Sequence, residues 1–159
     1  MARLAACLHV ALLCAAMAAP AHGEQAQVAV GLGAHTTRAN TEVNLRFIDA
    51  RRVWALQPVY GLSFGTRGTG FAGAGLAYTW RKTDGSMFVR GSILAGVYHK
   101  GRGPDLGGRV TFRSGVELGF ALDRDTDIGI GFDHRSNAGL HSNNPGLNSA
   151  HLFISRAVY

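Results

Sequence analysis

Two side chains near the C-terminus combine a base with a nucleophile. His134 and Ser136 are two residues apart, and residues i and i+2 of a β-strand point to the same face with Cα atoms roughly 6 to 7 Å apart. The imidazole and the hydroxyl can therefore meet in a hydrogen bond, as a base and the nucleophile that it activates must. The spacing predicts serine nucleophile chemistry if this segment is a strand.

Three more residues complete a candidate active site. Asn137 and an amide near Gly139 could hold an oxyanion, because both offer hydrogen-bond donors beside the serine. Asn148 begins the next alternating segment, and neighbouring strands would bring it close to His134 and Ser136. One such polar residue is more often an ordinary solvated side chain, but the convergence of several favours a site.

The elements that must position these residues are β-strands. Ile128, Ile130 and Phe132 alternate with small or polar residues and share one face with His134 and Ser136. The same period of two recurs along the chain, although it leaves the two faces of the fifth segment unassigned. Eight strands are predicted, near residues 28–35, 42–47, 54–64, 75–80, 86–99, 110–122, 127–136 and 148–158.

The two faces of these strands differ in a way that indicates a membrane protein. One face is apolar, whereas the other mixes glycine and alanine with charges, among them Glu42, Arg46, Arg90, Arg113 and Glu117. Small residues and ion pairs suit a narrow interior, and the apolar face would then contact lipid. The fold class predicted is therefore all-β, an eight-stranded antiparallel transmembrane β-barrel. A periplasmic β-sandwich is the alternative, although its strands would usually be shorter.

The connections between strands predict which end of the barrel faces outward. Residues 82–85 and 123–126 form tight polar turns, whereas 100–107 and 137–147 are longer. Short periplasmic turns and longer external loops are the usual asymmetry of outer-membrane barrels. The candidate site would therefore face lipid at the external rim, where polar side chains are less costly than at mid-membrane.

The N-terminal residues predict export. Residues 1–23 combine a basic residue, Arg3, with an apolar run and a small-residue ending, which is the layout of a secretory signal peptide rather than of a membrane anchor. The barrel would then comprise residues 24–159. Both cysteines, Cys7 and Cys14, lie in the predicted signal peptide, so a disulfide scaffold, a thiolate zinc site and a cysteine nucleophile are excluded from the barrel.

Composition and charge bound the partners. Glycine accounts for 22 of the 159 residues, about twice the ordinary usage of roughly 7%, which argues against a helical domain. The net charge of +6 at pH 7 favours anionic lipid headgroups over nucleic acid in an exported chain. Four external arginines, Arg38, Arg67, Arg102 and Arg135, could contact lipid phosphates, although ordinary solvated loop charges are at least as good an explanation of them. No motif requires a metal, a nucleotide or another cofactor.

These features together resemble the outer-membrane lipid A 3-O-deacylase family (PagL-type). The resemblance covers the signal peptide, the eight strands and especially residues 134–139. It implies an esterase of the bacterial outer membrane that removes the acyl chain at the 3-position of lipid A in lipopolysaccharide of the outer leaflet. Ser136 resembles the nucleophile of the family and His134 its general base, with Asn137 and Gly139 at the oxyanion.

The third catalytic position departs from the family. The family has a glutamate about 12 residues after the serine, where this chain has Asn148. Asparagine can orient a histidine by accepting its Nδ1 proton, but it supplies no charge to stabilise an imidazolium. Acidic substitutes are scarce, because Asp133 points inward by strand parity and Asp105 belongs to another loop.

Two other functions remain open at this point. A small outer-membrane barrel can be a structural or adhesive protein without enzymatic activity, and an esterase on a barrel wall can act on glycerophospholipids instead of lipid A. The sequence also leaves self-association open.

Overall fold

The chain forms one closed barrel of eight antiparallel strands. The computed structural model describes residues 25–36 and 40–159. Each strand pairs with its neighbours in sequence, and the first and last strands close the barrel along a ten-residue register. This confirms the predicted fold class. The strands are β1 (Ala26–His35), β2 (Thr41–Ile48), β3 (Gln57–Gly65), β4 (Gly70–Arg81), β5 (Met87–His99), β6 (Val110–Ala121), β7 (Thr126–Ser136) and β8 (Leu147–Val158).

Two of the predictions concern residues that the structure does not describe. The signal peptide predicted for residues 1–23 lies outside the described residues, as does Arg38. No helix in the described ranges is long and apolar enough to cross a membrane.

The alternation of the sequence corresponds to the two faces of the barrel wall. In β7, Ile128, Ile130 and Phe132 are exposed, whereas Asp127 and Asp133 are buried in the interior. Apolar side chains therefore cover the outside and polar ones fill the inside, the arrangement of a barrel whose solvent is lipid.

The faces of β5 could not be assigned from the sequence because both carry apolar residues. In the structure Phe88 and Leu94 are buried, as is Arg90 between them, whereas Val89 and Ile93 are exposed. Two large apolar residues thus point into the barrel, where they pack against the stems and rings of interior neighbours. Period-two reasoning fails for such a strand because its polarity does not differ enough between faces.

The third strand begins later than the alternation predicted. It starts at Gln57, and Trp54 lies in the β2–β3 turn with a φ of 59° and a side chain 94% exposed. Backbone hydrogen bonds between Val53 and Leu56 close this turn. An exposed tryptophan at the periplasmic end is typical of the aromatic belt at a membrane interface.

An ion network crosses the middle of the barrel. Arg46 on β2 donates to Glu117 on β6 at 2.7 Å and to Asp133 on β7 at 2.6 Å. Arg113 donates to the other oxygen of Asp133 at 2.7 Å, and Arg90 pairs with Glu117 at 3.2 Å. All five side chains are almost completely buried, so each charge depends on its partners for compensation.

A second group of charges lies nearer the external end, and it corrects one prediction. Arg135 was expected among the external phosphate-binding arginines, but it is buried inside the barrel and pairs with Glu42 at 3.3 Å. Its guanidinium also lies over the rings of Phe71 and Tyr98, at 4.8 and 5.4 Å. The strand alternation continues through the last residues of β7, and it therefore directs Arg135 inward.

Glycines make room for the interior side chains. A Cβ on Gly119 would collide with the ring of Phe88, and one on Gly131 would collide with the ring of His151. Because the lumen of an eight-stranded barrel is only wide enough for its own side chains, large residues on one strand require glycine on the neighbouring one. The high glycine content follows from this limit.

We predict that Glu117→Ala destabilises the barrel by about 3–5 kcal/mol, because Arg46 and Arg90 would lose the carboxylate that compensates their buried charges. Urea unfolding in detergent micelles, followed by tryptophan fluorescence, measures the change. Lys82→Ala is the control, since its ion pair with Asp84 is exposed in a periplasmic turn and should contribute nothing measurable. Equal unfolding midpoints for Glu117→Ala and the unchanged chain would contradict this prediction.

Candidate active site

A row of polar side chains crosses the outer wall at the end of the barrel opposite the termini. In the strand register His134 lies between Ser114 of β6 and Asn148 of β8. The Nδ1–H of His134 donates to Oδ1 of Asn148 at 2.7 Å. The structure therefore brings together the histidine and asparagine that the sequence placed near each other.

This hydrogen bond determines which nitrogen of the histidine is available. The amide oxygen of Asn148 can only accept, so Nδ1 of His134 must carry the proton. In the neutral ring the lone pair is then on Nε2, which is the nitrogen that can act as a base. Asn148 thus fixes the orientation of the His134 ring without adding a charge.

Ser136 lies one outward position further along β7, beside Phe112 of β6. Its Oγ accepts the N–H of Ala138 at 3.4 Å, and no hydrogen bond joins it to His134 in the described part of the chain. Side chains at i and i+2 stand side by side on a strand, so a direct bond requires one of them to turn toward the other. Catalytic hydrogen bonds are often long before substrate binds.

Gly146 packs against the ring of His134, and the sequence reasoning missed it. It has a φ of 71°, and a Cβ there would lie 2.9 Å from Cε1 of His134. The residue ends the β7–β8 loop two positions before Asn148. Its position just before Asn148 in the sequence could have indicated this contact, because a glycine at the end of a loop often marks a left-handed turn.

The expected oxyanion residues lie next to Ser136, but their donors are already engaged. The Nδ2 of Asn137 donates to the carbonyl oxygens of Leu106 at 2.7 Å, Asn143 at 3.0 Å and His141 at 3.3 Å. Its Oδ1 accepts the N–H of Gly139 at 2.8 Å. Asn137 therefore joins the two long external loops, the β5–β6 loop and the β7–β8 loop.

The β5–β6 loop is held by its own ion pair. Lys100 donates to Asp105 at 2.6 Å, and the N–H of Gly107 donates to the same carboxylate at 2.9 Å. Both donors lower the pKa of Asp105, and the hydrogen bond from Lys100 has the larger effect. The ion pair is therefore fully formed at pH values above the pKa of an unfolded aspartate, and it is lost as the pH falls through the lowered pKa. Asp105 is thereby committed to the loop. Asp133 is committed to the interior network, so neither acid replaces the family glutamate beside His134.

Basic side chains surround the external end. Arg102 is exposed and Arg67 half-buried, and the N–H of Arg102 donates to the carbonyl of Arg67 at 2.9 Å. Of the four arginines expected to contact phosphate, these two lie at the external end. The described residues contain no group of three metal-ligating side chains.

An apolar depression lies directly below the polar row, toward the middle of the membrane. It has a volume of about 810 Å³, and its walls include Leu152 and the three register neighbours Phe132, Ala150 and Ala34. Ala150 follows Asn148 on the outer face of β8, and Phe132 precedes His134 on β7. The polar row and the apolar depression therefore form one continuous surface.

Comparison with known proteins identifies relatives of this barrel. The family model described as lipid A 3-O-deacylase (PagL) matches residues 35–157. The solved structure of the outer membrane enzyme PagL has a TM-score of 0.68 at 20% identity, covering 83% of this chain and 99% of that one. A search of curated proteins finds no match.

Two further solved structures share the barrel architecture. A de novo designed transmembrane β-barrel has a TM-score of 0.63 at 11% identity, covering 87% of this chain and 99% of that one. The Yersinia pestis outer membrane protein Ail, solved in a phospholipid bilayer nanodisc, has a TM-score of 0.53 at 9% identity, with 82% and 98% coverage. At these identities the structural matches show the fold, whereas the family model shows the family.

We predict that Gly146→Ala lowers the reactivity of Ser136 at least tenfold, because the new Cβ would displace the ring of His134. The rate of labelling by a fluorophosphonate probe measures that reactivity. Gly85→Ala is a matched control, since Gly85 has a similar φ of 75° but nothing within 4 Å of its Cβ position. The prediction fails if the two variants are labelled at the same rate while both barrels remain folded.

Proposed function

The chain belongs to the lipid A 3-O-deacylase (PagL) family, and from this premise we propose that it hydrolyses the acyl ester at the 3-position of lipid A by serine–histidine chemistry on its outer wall. As a family member with a closed barrel, it is an outer-membrane hydrolase. The proposal adds the residues, the mechanism and the place on the barrel.

The hydrogen bond between His134 and Asn148 is the observation that carries the proposal. A structural barrel has no need of an oriented histidine on its lipid-facing wall, where burial of polar groups is unfavourable. Here the bond selects the tautomer with a basic Nε2, and a serine follows on the same face. A base and a nucleophile with a fixed orienting residue are the components of serine hydrolases.

The chemistry proceeds in two halves. Oγ of Ser136 attacks the ester carbonyl carbon while Nε2 of His134 takes the hydroxyl proton, and the carbonyl π pair moves onto oxygen. The tetrahedral oxyanion collapses to an acyl-serine, and the sugar 3-oxygen leaves with the proton from His134. Water then attacks the acyl-serine with His134 again as base, which releases the fatty acid and restores Ser136.

The surroundings of the site suit an acylated glycolipid. The depression below the polar row is apolar and can accept an acyl chain that lies in the outer leaflet. The scissile ester of such a lipid lies where its acyl chain meets the sugar, and the polar row occupies the corresponding boundary on the barrel. Arg102 and Arg67 at the external end supply charges of the sign that lipid A phosphates require.

The oxyanion site belongs to the loop that follows the nucleophile. Asn137 and Gly139 lie there as the family resemblance implies, and their mutual hydrogen bond of 2.8 Å shapes the turn beside Ser136. Hydrogen-bond donors at this place would stabilise the charge that develops on the ester oxygen.

We predict that Ser136→Ala and His134→Ala each reduce deacylation to background, because one removes the nucleophile and the other removes the base. Mass spectrometry of purified lipid A incubated with each variant in detergent detects loss of the 3-linked hydroxyacyl chain. Ser142→Ala, a serine exposed in the neighbouring loop, should retain full activity. SDS gels verify that each variant folds, because a folded barrel in an unheated sample migrates differently from the unfolded chain in a heated one.

Three outcomes of this assay exclude the proposal. Loss of the hydroxyacyl chain with either active-site variant would show that the chemistry lies elsewhere. Release of fatty acid only from glycerophospholipid, added in a parallel incubation, would show a phospholipase instead. No release from either lipid by the unchanged protein would favour a structural barrel.

We predict that Asn148→Glu keeps or raises kcat, because a carboxylate orients His134 through the same Nδ1–H and also stabilises the imidazolium. The gain is bounded by about 10⁴-fold, the loss that the reverse change causes in a serine protease triad. Initial rates on lipid A measure it, with Asn148→Leu as the variant that cannot accept a hydrogen bond. An inactive but folded Asn148→Glu protein would show that the amide of Asn148 has a role that a carboxylate cannot fill.

A further inference from the structure

We propose that the side-chain amide of Asn148 binds the substrate, and that its Nδ2 donates a hydrogen bond to the carbonyl oxygen of the acyl chain next to the scissile ester. The inference rests on the proposed function, because it takes His134 and Ser136 as the reacting pair. It gives Asn148 a second task, substrate binding, beside the orientation of His134.

The amide of Asn148 uses only one of its two ends within the protein. Its Oδ1 accepts the Nδ1–H of His134 at 2.7 Å. Its Nδ2 carries two protons, and within the described part of the chain it donates neither of them to another group. The residue is half-buried in the outer wall. Its Nδ2 is therefore available to a molecule on the membrane side of the barrel.

The unused end of this amide is held in a fixed direction. An amide group is planar, so the bond that holds Oδ1 against His134 also fixes Nδ2. The backbone of Asn148 is held from β1, because the N–H of Thr36 donates to its carbonyl oxygen at 3.0 Å. A donor that is already ordered loses little conformational freedom when a ligand binds, and this preorganisation favours binding.

The orientation of the His134 ring separates Nδ2 of Asn148 from the reacting atoms. Cε1 of the ring lies against Gly146, because a Cβ there would be 2.9 Å from Cε1 and 3.7 Å from Nε2. The two ring nitrogens point to opposite sides of Cε1. Since Nδ1 faces Asn148, Nε2 points away from the amide. The partner of Nδ2 is therefore a group beside the scissile ester, not the oxygen that becomes charged during the reaction.

The position of the amide on the wall selects an acyl carbonyl as that group. Ala150, the next outward residue of β8, lines the apolar depression, so Asn148 lies at the mouth of the depression. The acyl chains of a bound glycolipid join the sugar at this level, whereas its phosphates project farther outward. In lipid A the position next to the 3-ester carries an amide-linked acyl chain, and the carbonyl of an amide is a strong hydrogen-bond acceptor.

This contact gives a physical reason for an asparagine where the family has a glutamate. A carboxylate only accepts hydrogen bonds, whereas a side-chain amide also donates them. A lipid that covers the mouth of the depression displaces the water around Nδ2, and a covered donor without an acceptor is unfavourable. A substrate with the neighbouring carbonyl satisfies the donor, and a substrate without it does not. Asn148 thereby discriminates between the two.

A pair of substrates tests the contact directly. One is a 3-O-acyl glucosamine with an amide-linked acyl chain at the 2-position. The other carries at that position an ether-linked alkyl chain of equal length, which lacks the carbonyl. For the unchanged protein we expect a KM about 3- to 10-fold lower on the amide substrate, the usual effect of one hydrogen bond, and values of kcat that differ less than about twofold.

The variant Asn148→Asp removes the donors and retains the shape of the side chain. Its carboxylate still accepts the Nδ1–H of His134, so kcat should be retained or raised. Its KM values for the two substrates should become equal, because no donor remains. Asn144→Asp is the matched control, since it makes the same change in the exposed β7–β8 loop, where the carboxylate still accepts the N–H of Asn137. This control should keep the preference for the amide substrate.

The outcomes separate this inference from the proposed function. Equal KM values for the unchanged protein overturn the inference while the proposed function stands, and a preference that survives in Asn148→Asp overturns it as well. Calorimetric titration of Ser136→Ala in mixed micelles compares the affinities of the two lipids without hydrolysis. If the unchanged protein releases no fatty acid, the proposed function fails, and the affinities decide the inference. A preference that is lost in Ser136→Ala/Asn148→Asp supports it, and equal affinities in Ser136→Ala overturn it.

Discussion

The buried ion network around Arg46 and Asp133 is the interaction on which the orientation of the site depends. Asp133 is tied to Arg46 and Arg113 inside the lumen, and two residues later Arg135 is tied to Glu42. Because side chains alternate along a strand, fixing these two inward forces the residues between and after them outward. A slip of one position in β7 would bury the histidine and serine and expose the charges to lipid.

The closed eight-stranded wall explains why the proposed site lies on the outer face of the barrel. The lumen is filled by its own side chains, so a lipid substrate can only be met from the membrane side. A carboxylate on that outer face would carry a charge toward lipid, whereas Asn148 orients His134 without one. The neutral residue therefore suits the environment of the wall, at the expense of the electrostatic help that an acid would give an imidazolium.

The sequence predicted much of this site because strands translate spacing into geometry. Ile128, Ile130 and Phe132 showed which face His134 shares, and the strand pairing then placed Asn148 beside it. The grouping of Arg135 with the external basic residues was wrong, although strand parity already pointed its side chain inward. The sequence also could not foresee the long reach of Asn137, whose partners Leu106 and Asn143 belong to loops without periodicity.

The sequence by itself determined the barrel, the two faces of its strands other than β5 and the side of the wall that carries the candidate site, because period-two alternation needs only neighbouring residues. Only the tertiary structure decided which donors are free. Asn137 and Ala138 are adjacent in sequence, yet the first is engaged by a distant loop and the second faces the serine. Hydrogen-bond capacity is limited by the number of protons on each group, so the availability of a donor depends on every acceptor that the fold brings within reach.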